Sequence, residues 1–207
     1  MNTGLTGLTD FPLSQPYNIS PWNYNGTEQV SVIPNANVVD WVLVELRDAP
    51  SAAAATSATR IARQAAFILS DGSIVGLDGS SVLQFNNSIN QQLFVIVYHR
   101  NHLGVLSANA LILSGGIYSY NFASGAGQAF GGAAAQKQVG EGIWAMFGGD
   151  GNANGMIDEN DKVLEWQLEA GHAGMMPEDY NMDGQVNNPD KDDCWAPNLG
   201  IESLIPD

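Results

Sequence analysis

The segment Val38-Val-Asp-Trp-Val-Leu-Val-Glu-Leu-Arg47 decides the fold class, because its apolar residues fall on both faces of an extended chain. Successive side chains of a strand point to opposite sides, so Trp41 and Leu43 face one side and the alternate Val and Leu residues face the other. A strand that is apolar on both sides belongs at the centre of a sheet, or beneath a second layer or another subunit. We therefore expect a central strand here.

A second strand of the same kind is expected at residues 93–100, where Leu93-Phe-Val-Ile-Val-Tyr98 is apolar throughout. Further short β-branched segments lie between Gly-, Asn- and Asp-rich turns such as Asp71-Gly72 and Asp78-Gly79. The remaining candidate strands are 28–33, 65–70, 73–77, 103–111, 116–122 and 142–147. This spacing, with little helix, predicts an antiparallel β-sandwich over residues 28–148.

Residues 1–27 differ from this pattern, since they combine three prolines with the aromatic residues Tyr17, Trp22 and Tyr24. We expect an extended N-terminal arm that either lies on its own domain or reaches a neighbouring subunit. The predicted organisation is therefore the arm at 1–27, the sandwich at 28–148 and a small C-terminal segment at 149–207.

The C-terminal segment contains one pattern twice: Asp150-Gly-Asn-Ala-Asn-Gly-Met-Ile-Asp-Glu-Asn-Asp161 (loop 1) and Asp179-Tyr-Asn-Met-Asp-Gly-Gln-Val-Asn-Asn-Pro-Asp190 (loop 2). Oxygen-bearing side chains at positions 1, 3, 5, 9 and 12, with Gly at position 6, are the spacing of an EF-hand calcium loop, with Asp replacing Glu at position 12. Position 7 contributes its backbone carbonyl. The predicted Ca²⁺ ligands are Asp150, Asn152, Asn154, Met156, Asp158 and Asp161 at one site, and Asp179, Asn181, Asp183, Gln185, Asn187 and Asp190 at the other.

The flanks of the two loops repeat as well, because the register that aligns Asp150 with Asp179 also aligns Lys162 with Lys191 and Trp166 with Trp195. A short helix is expected after each loop. The apolar residues at position 8, Ile157 and Val186, are expected to form a strand-like contact between the loops, as in paired EF-hands. The alternative is that Asp, Asn and Gly only mark turns, but two loops in register with matching flanks favour a pair of calcium-binding loops.

Charge is concentrated in the same part of the chain. Residues 141–207 carry fifteen Asp or Glu against two Lys, a net charge of −13 out of −15 for the whole protein. Without cations this region should repel itself. An acidic chain with seven Lys plus Arg and no basic cluster argues against nucleic acid as a partner. Its apolar segments are strand-sized, which argues against membrane insertion.

Catalytic motifs are absent from the sequence, so a non-enzymatic protein is expected. His99 and His102 offer two zinc ligands, but no third ligand lies at motif spacing, and the polar tip of a hairpin is the favoured interpretation. Cys194, the single cysteine, is expected to be a small buried hydrophobe rather than a reactive thiol. No charged start followed by an apolar segment opens the chain, so no secretion signal is expected in this numbering.

The chain resembles a module that recurs in large secreted and cell-surface proteins of Bacteroidota. The residues that carry the resemblance are Pro21-Trp-Asn-Tyr24, the segment from Ile33 to Asp48, the segment from Arg63 to Gly79, Tyr98-His-Arg-Asn-His-Leu-Gly104 and the doubled calcium loop. The resemblance implies a non-enzymatic β-sandwich joined to a dockerin-like calcium segment, exported to the cell surface, often through the type IX system.

Two functions follow as expectations. The first is an extracellular or cell-surface structural protein that associates with itself into an oligomer or polymer, with Ca²⁺ rigidifying the fold or a subunit contact. The second is a module that binds a glycan or a surface protein, with Trp22, Tyr24, Tyr118 and Tyr120 as a possible sugar platform. Core packing of these aromatic residues is the favoured alternative to that platform.

Overall fold

The computed structural model describes residues 1 and 3–207. Its main element is an antiparallel five-stranded sheet in the order β3-β2-β1-β4-β5. The strands are β1 (Val38–Ala49), β2 (Arg60–Leu69), β3 (Ile74–Val75), β4 (Gln92–His99) and β5 (His102–Leu106). Two separate hairpins follow, β6 (Ile112–Ser114) with β7 (Ile117–Ser119) and β8 (Lys137–Gly140) with β9 (Ile143–Ala145). The predicted fold class, mainly antiparallel β structure, is confirmed.

Helical elements are few and short. The 3₁₀ turns are Gly4–Gly7, Ala52–Ala54, Ser57–Thr59, Phe122–Ser124, Ala126–Gln128, Gly132–Ala134 and Ala196–Asn198. After the two predicted calcium loops come a π-helix at Asp161–Trp166, continued by α-helix Gln167–Glu169, and a π-helix at Asp190–Trp195. The short helix expected after each loop is present. Among the described residues no helix is long and apolar enough to span a bilayer.

Strand β1 occupies the central position that its two-sided apolar pattern predicts. All twelve of its residues are buried. On one face Val42, Val44 and Leu46 pack with β4 residues, and the loops around residues 83–89 and 120–135 cover them. On the opposite face lie Trp41 and Leu43. Both faces of the sheet are therefore covered, mostly by irregular chain.

The N-terminal arm covers the Trp41 face of its own sheet. Leu5, Phe11 and Tyr17 are buried there. The Tyr17 hydroxyl donates to the Trp41 carbonyl at 2.8 Å, and the Trp41 indole N–H donates back to the Pro12 carbonyl at 2.8 Å. Of the two placements expected for the arm, the structure has the one on its own domain. Residue 2 of the predicted arm lies outside the described residues.

Several predicted strand boundaries differ from the structure. Residues 28–33 form no strand, because their backbone bonds to the arm instead of the sheet, from Gln15 N–H to the Glu28 carbonyl and from Val30 N–H to the Leu13 carbonyl. The expected strand at 103–111 ends at Leu106, and β6 and β8 fall outside every predicted strand. These last two strands are short and largely exposed, so burial imposes no strong alternation on their sequence.

Candidate calcium site

Each predicted calcium loop curls around its own carboxylates. The carboxylate at position 1 accepts backbone N–H groups from positions 5 and 6, and the carboxylate at position 12 accepts those of positions 3 and 9. The side-chain oxygen at position 3 accepts the N–H of position 5, and that at position 5 accepts the N–H of position 7. In loop 1 these residues are Asp150, Asn152, Asn154, Gly155, Met156, Asp158 and Asp161, at distances of 2.8 to 3.3 Å.

Loop 2 repeats this hydrogen-bond set bond for bond in the register of the sequence repeat. The corresponding residues are Asp179, Asn181, Asp183, Gly184, Gln185, Asn187 and Asp190, at distances of 2.8 to 3.0 Å. Unrelated turns would not share six bonds in register. Because these bonds tie the acceptor oxygens to amides of the same tight loop, the oxygens at positions 1, 3, 5 and 12 are gathered in both loops.

The backbone of the loops repeats too. Gly155 and Gly184, at position 6, have φ angles of 86° and 88°, the left-handed region that the sequence pattern predicts for this glycine. Position 4 is also left-handed, with Ala153 at 55° and Met182 at 60°. Nothing in those two residue types signals the conformation, because left-handed φ is unfavourable for both. The shared strain at position 4 follows from the tight curl.

The carboxylates at positions 1 and 12 are buried. Asp150 is 4% exposed, and Asp161, Asp179 and Asp190 are 0% exposed. Burial, and then the charge of Asp161, raises the pKa of Asp150 to about 7. Burial likewise raises the pKa of Asp179 to about 6, and it raises the pKa of Asp161 and Asp190. Within the described chain none of the four carboxylates forms an ion pair with Lys or Arg.

These loops fit a hard cation. Paired carboxylates removed from water and lacking a basic partner are stabilised by a bound cation or by a proton. In loop 2 the side-chain oxygen of Asn187, at the predicted position 9, is buried and has no hydrogen-bond partner within the described chain. No group of three or more His, Cys, Asp or Glu side chains suited to a metal converges in residues 1 and 3–207. The predicted sites would instead combine Asp with Asn and backbone carbonyl oxygens, which Ca²⁺ accepts.

The two loops exchange contacts through their helices. The Trp166 indole N–H, after loop 1, donates to the Asn187 carbonyl in loop 2 at 2.9 Å. Trp195, after loop 2, donates to the Asp158 carbonyl in loop 1 at 2.8 Å. The Lys162 ammonium lies 4.7 Å from the Trp195 ring centroid, and the Lys191 ammonium lies 5.1 Å from that of Trp166. The segment is thus a reciprocal pair of repeats.

The expected strand-like pairing of Ile157 with Val186 is wrong. Ile157 uses its N–H and carbonyl on Ile201 and Gly200, which follow the second helix. Val186 uses the same groups on His172 and Gly171, which follow the first helix. Each of these two apolar residues therefore forms backbone hydrogen bonds with the segment that follows the helix of the other repeat. Because Gly171 and Gly200 occupy equivalent places in the register of the repeat, the repeat extends beyond the loops and helices that the sequence revealed.

The turn between β4 and β5 joins this segment to the sheet. Its residues are His99, Arg100, Asn101 and His102. Asn101 contacts both loops, and Arg100 donates to Asp40 of β1 at 2.9 Å and to the Met176 carbonyl. The sequence predicted the histidines at a hairpin tip, which is correct, but it did not predict that residues 149–207 cover this tip.

The zinc alternative at His99 and His102 has little support in the geometry. Their Nδ1 atoms lie 3.1 Å apart, which is a hydrogen-bond distance, and His99 Nε2 lies 3.1 Å from an Asp40 carboxylate oxygen. Burial, followed by the charges of His99 and Arg100, lowers the pKa of His102 well below its usual value. These side chains form a hydrogen-bonded cluster beneath the C-terminal segment.

The proposed aromatic platform does not form one surface. Trp22 and Tyr24 pack against the Trp41 face of the sheet, whereas Tyr120 packs against the opposite face. Trp22 makes an edge contact with Tyr17 at 5.0 Å between ring centroids.

Cys194 is half-buried, and burial, then the charge of Asp190, raises the pKa of its thiol to about 11. That direction disfavours the reactive thiolate.

Comparison of the chain with protein-family models, curated proteins and solved structures found no match.

Proposed function

We propose that the protein is a non-enzymatic, calcium-binding structural protein of the cell surface or extracellular space, and that it associates with copies of itself. Residues 28–148 would supply a β-sandwich-type body, and residues 149–207 a dockerin-like segment with two Ca²⁺ sites. Calcium would rigidify the contact between this segment and the sheet. The observation that carries the proposal is the repeated set of six hydrogen bonds around buried carboxylates in loops 1 and 2.

An extracellular setting is proposed from the ligand set. Asp at position 12 is shorter than the usual Glu, and Asn154 is neutral at position 5, so loop 1 has few charges to hold the ion. EF-hand sites in extracellular modules bind with dissociation constants of roughly 10⁻⁴ to 10⁻³ M, which suits calcium-rich surroundings. Sites of that strength would be filled outside a cell and largely empty in the cytosol.

Self-association is proposed from two exposed hairpins. In β6–β7 the exposed fractions are 70% for Ile112, 55% for Leu113 and 50% for Ile117. In β8–β9, Val139 and Ile143 are exposed as well. A two-stranded hairpin is marginally stable by itself in water, and clustered apolar surface marks interaction sites. The β6–β7 hairpin carries no charged residue, so a second copy of it would bury these apolar side chains without placing like charges together.

Two measurements test the proposal. Calorimetric titration with Ca²⁺ is expected to give two sites, and excess chelator is expected to lower the melting temperature, because the ion binds the folded loops. Light scattering with millimolar Ca²⁺ and with chelator is expected to show an oligomer in calcium. Heat of binding at neither loop would remove the calcium proposal, and a monomer at every protein concentration in calcium would remove self-association.

A second candidate function, glycan binding, is favoured by one cleft. A cavity of about 290 Å³ lies between the arm and the start of β2, lined by polar side chains that include Asn23, Tyr24, Asn25, Arg60 and Arg63. Arg60 reaches its nearest carboxylate, Glu45, only at 3.7 Å. A glycan array containing uronic acids tests this candidate, with Arg60→Ala as the matched variant. Binding lost in that variant would support it, and an array without signal would remove it.

A further inference from the structure

The turn residue Asn101 touches both predicted calcium loops at once. Its side-chain amide donates to the carbonyls of Pro177 and Asp179, each at 2.8 Å. Its own backbone carbonyl accepts the N–H groups of Gly149 at 3.1 Å and Asp150 at 3.2 Å. Asp150 and Asp179 stand at position 1 of loop 1 and loop 2. A single residue of the sheet therefore holds the start of both loops.

Asn101 is itself held firmly. It is 1% exposed, and its side-chain oxygen lies 2.8 Å from His102 Nδ1. The preceding residue, Arg100, is bonded to Asp40 on the central strand. Asn101 is therefore a buried, hydrogen-bonded residue at the junction of the sheet with both loops. If the start of one loop moves, Asn101 must move with it or lose a hydrogen bond, and its hydrogen bonds to the other loop are then disturbed.

We propose that Asn101 is a positioning residue that couples the two calcium loops, so that filling one loop raises the affinity of the other. The inference rests on the proposed calcium function. Position 1 supplies the first carboxylate of a loop, and its backbone must be fixed before that carboxylate can meet the ion. Calcium at loop 1 orders Asp150, which fixes the Asn101 carbonyl and with it the amide that positions Asp179. Loop 2 is then partly ordered before its own ion binds, so that binding loses less conformational entropy.

The reciprocal tryptophan contacts also join the repeats, so the loss of Asn101 should reduce the coupling and not abolish it. Asn101→Ala keeps the backbone carbonyl, and hence the bonds to Gly149 and Asp150, but it removes the amide that holds Pro177 and Asp179. Of the contacts that Asn101 makes with the two loops, the variant thus removes only those on the loop 2 side. This asymmetry separates coupling from a general loss of structure.

The test is a double-mutant cycle on calcium affinity at loop 2. Loop 1 is silenced with Asp150→Asn and Asp161→Asn together, and loop 2 affinity is measured calorimetrically with and without this change, in the parent chain and in Asn101→Ala. In the parent chain, silencing loop 1 is expected to weaken loop 2 by about tenfold, an ordinary allosteric coupling. In Asn101→Ala the same change should weaken it by about threefold or less.

The matched control is Gln15→Ala. Gln15 is another buried amide, 7% exposed, whose side chain donates to two backbone carbonyls and accepts the Tyr17 N–H, far along the chain from both loops. Its loss should lower stability while leaving the coupling ratio at the parent value. An equal fall of the ratio in Gln15→Ala would overturn the inference, because the effect would then be general destabilisation.

The outcomes separate the two proposals. If the parent chain binds no calcium, the proposed function fails and this inference fails with it. If two ions bind but the coupling ratio is the same in Asn101→Ala as in the parent, only the inference is overturned. Should Asn101→Ala not fold, hydrogen exchange on the Asp190→Asn chain replaces it. There, calcium at loop 1 alone is expected to slow exchange in residues 177–181, and unchanged exchange overturns the inference.

Discussion

The indole nitrogen of Trp195 lies 2.8 Å from the carbonyl oxygen of Asp158, so a side chain of the second repeat holds position 9 of the first loop. Trp166 makes the equivalent contact with Asn187. Because each tryptophan belongs to the helix after its own loop, neither loop keeps its full set of contacts without the other repeat. The exchange gives a structural reason for the two predicted calcium sites to fold together.

Substituting Trp195→Phe tests this contact. The ring volume is mostly kept, but the hydrogen bond to Asp158 is lost, and a partly buried carbonyl loses its donor. Such a loss typically costs about 1 kcal/mol, which corresponds to a fewfold weaker calcium affinity at loop 1. Calorimetry on a chain with loop 2 silenced by Asp190→Asn measures that affinity. Trp166→Phe is the matched control, because its loss should act on loop 2 and leave loop 1 nearer to the parent value.

The sequence predicts the parts of the site that lie close together in the chain, but not the contacts that depend on the fold. The predicted ligands of each loop lie in one local segment with a fixed spacing, so their order and the left-handed glycine at position 6 could be predicted directly. The hydrogen-bond partners of Ile157 and Val186 could not be predicted in this way. These two residues could pair with each other or with the segments that follow the helices, and the orientation of the two repeats decides between these arrangements. Asn101 carried no motif, and only the fold brings it to both loops.

The sheet shows the same division. Strand β1 was predictable because burial on both faces leaves a two-sided apolar pattern in its sequence. The arm was harder to place, since Phe11 and Tyr17 could equally have covered another subunit. Strands β6 and β8 left no clear pattern, because their residues are mostly exposed and little constrains which side of the chain is apolar.

Acid should destabilise the protein through Asp40. Burial raises the pKa of this carboxyl, but the charge of Arg100 and the contact with His99 outweigh it and lower the pKa to about 2. An unfolded Asp titrates near 3.9. The contribution of the Asp40 charge is therefore present above about pH 4 and is lost as the pH falls toward 2, by about 2 kcal/mol in total.

Urea unfolding at pH 5 and at pH 2.5, with calcium-free protein and buffer at both, measures this loss for the parent and for Asp40→Asn. The variant should already be less stable at pH 5 by about 3 to 5 kcal/mol, since it leaves Arg100 buried without its carboxylate. It should then lose less stability on acidification than the parent. Equal losses in the two proteins would contradict the assignment to Asp40.

The β6–β7 hairpin should carry self-association. Leu113 and Tyr118 face each other across the two strands, and both are exposed, at 55% and 40%. Leu113→Lys places a charge on this exposed surface, so it should raise the dissociation constant of the oligomer at least about tenfold with little change in melting temperature. Sedimentation measures the association, and Val32→Lys, at a position 70% exposed outside the hairpin, is the control. The same loss in both variants would argue against the hairpin.

Calcium removal should loosen the C-terminal segment before the sheet. Residues 141–207 hold a net charge of −13, and the carboxylates at positions 1 and 12 of both loops are buried, so without the ion they repel one another in a medium that screens them poorly. The sheet has its own core on both faces, and its strands do not depend on the loops for their hydrogen bonds. Hydrogen exchange in chelator is therefore expected to speed up by at least about tenfold at the amides of 150–161 and 179–190, while those of β1 stay protected.

Because both loops bond to Asn101, exchange at the β4–β5 turn should rise with them. Uniform acceleration across β1 and the loops would instead make the chain a single cooperative unit, with calcium acting on the stability of the whole fold.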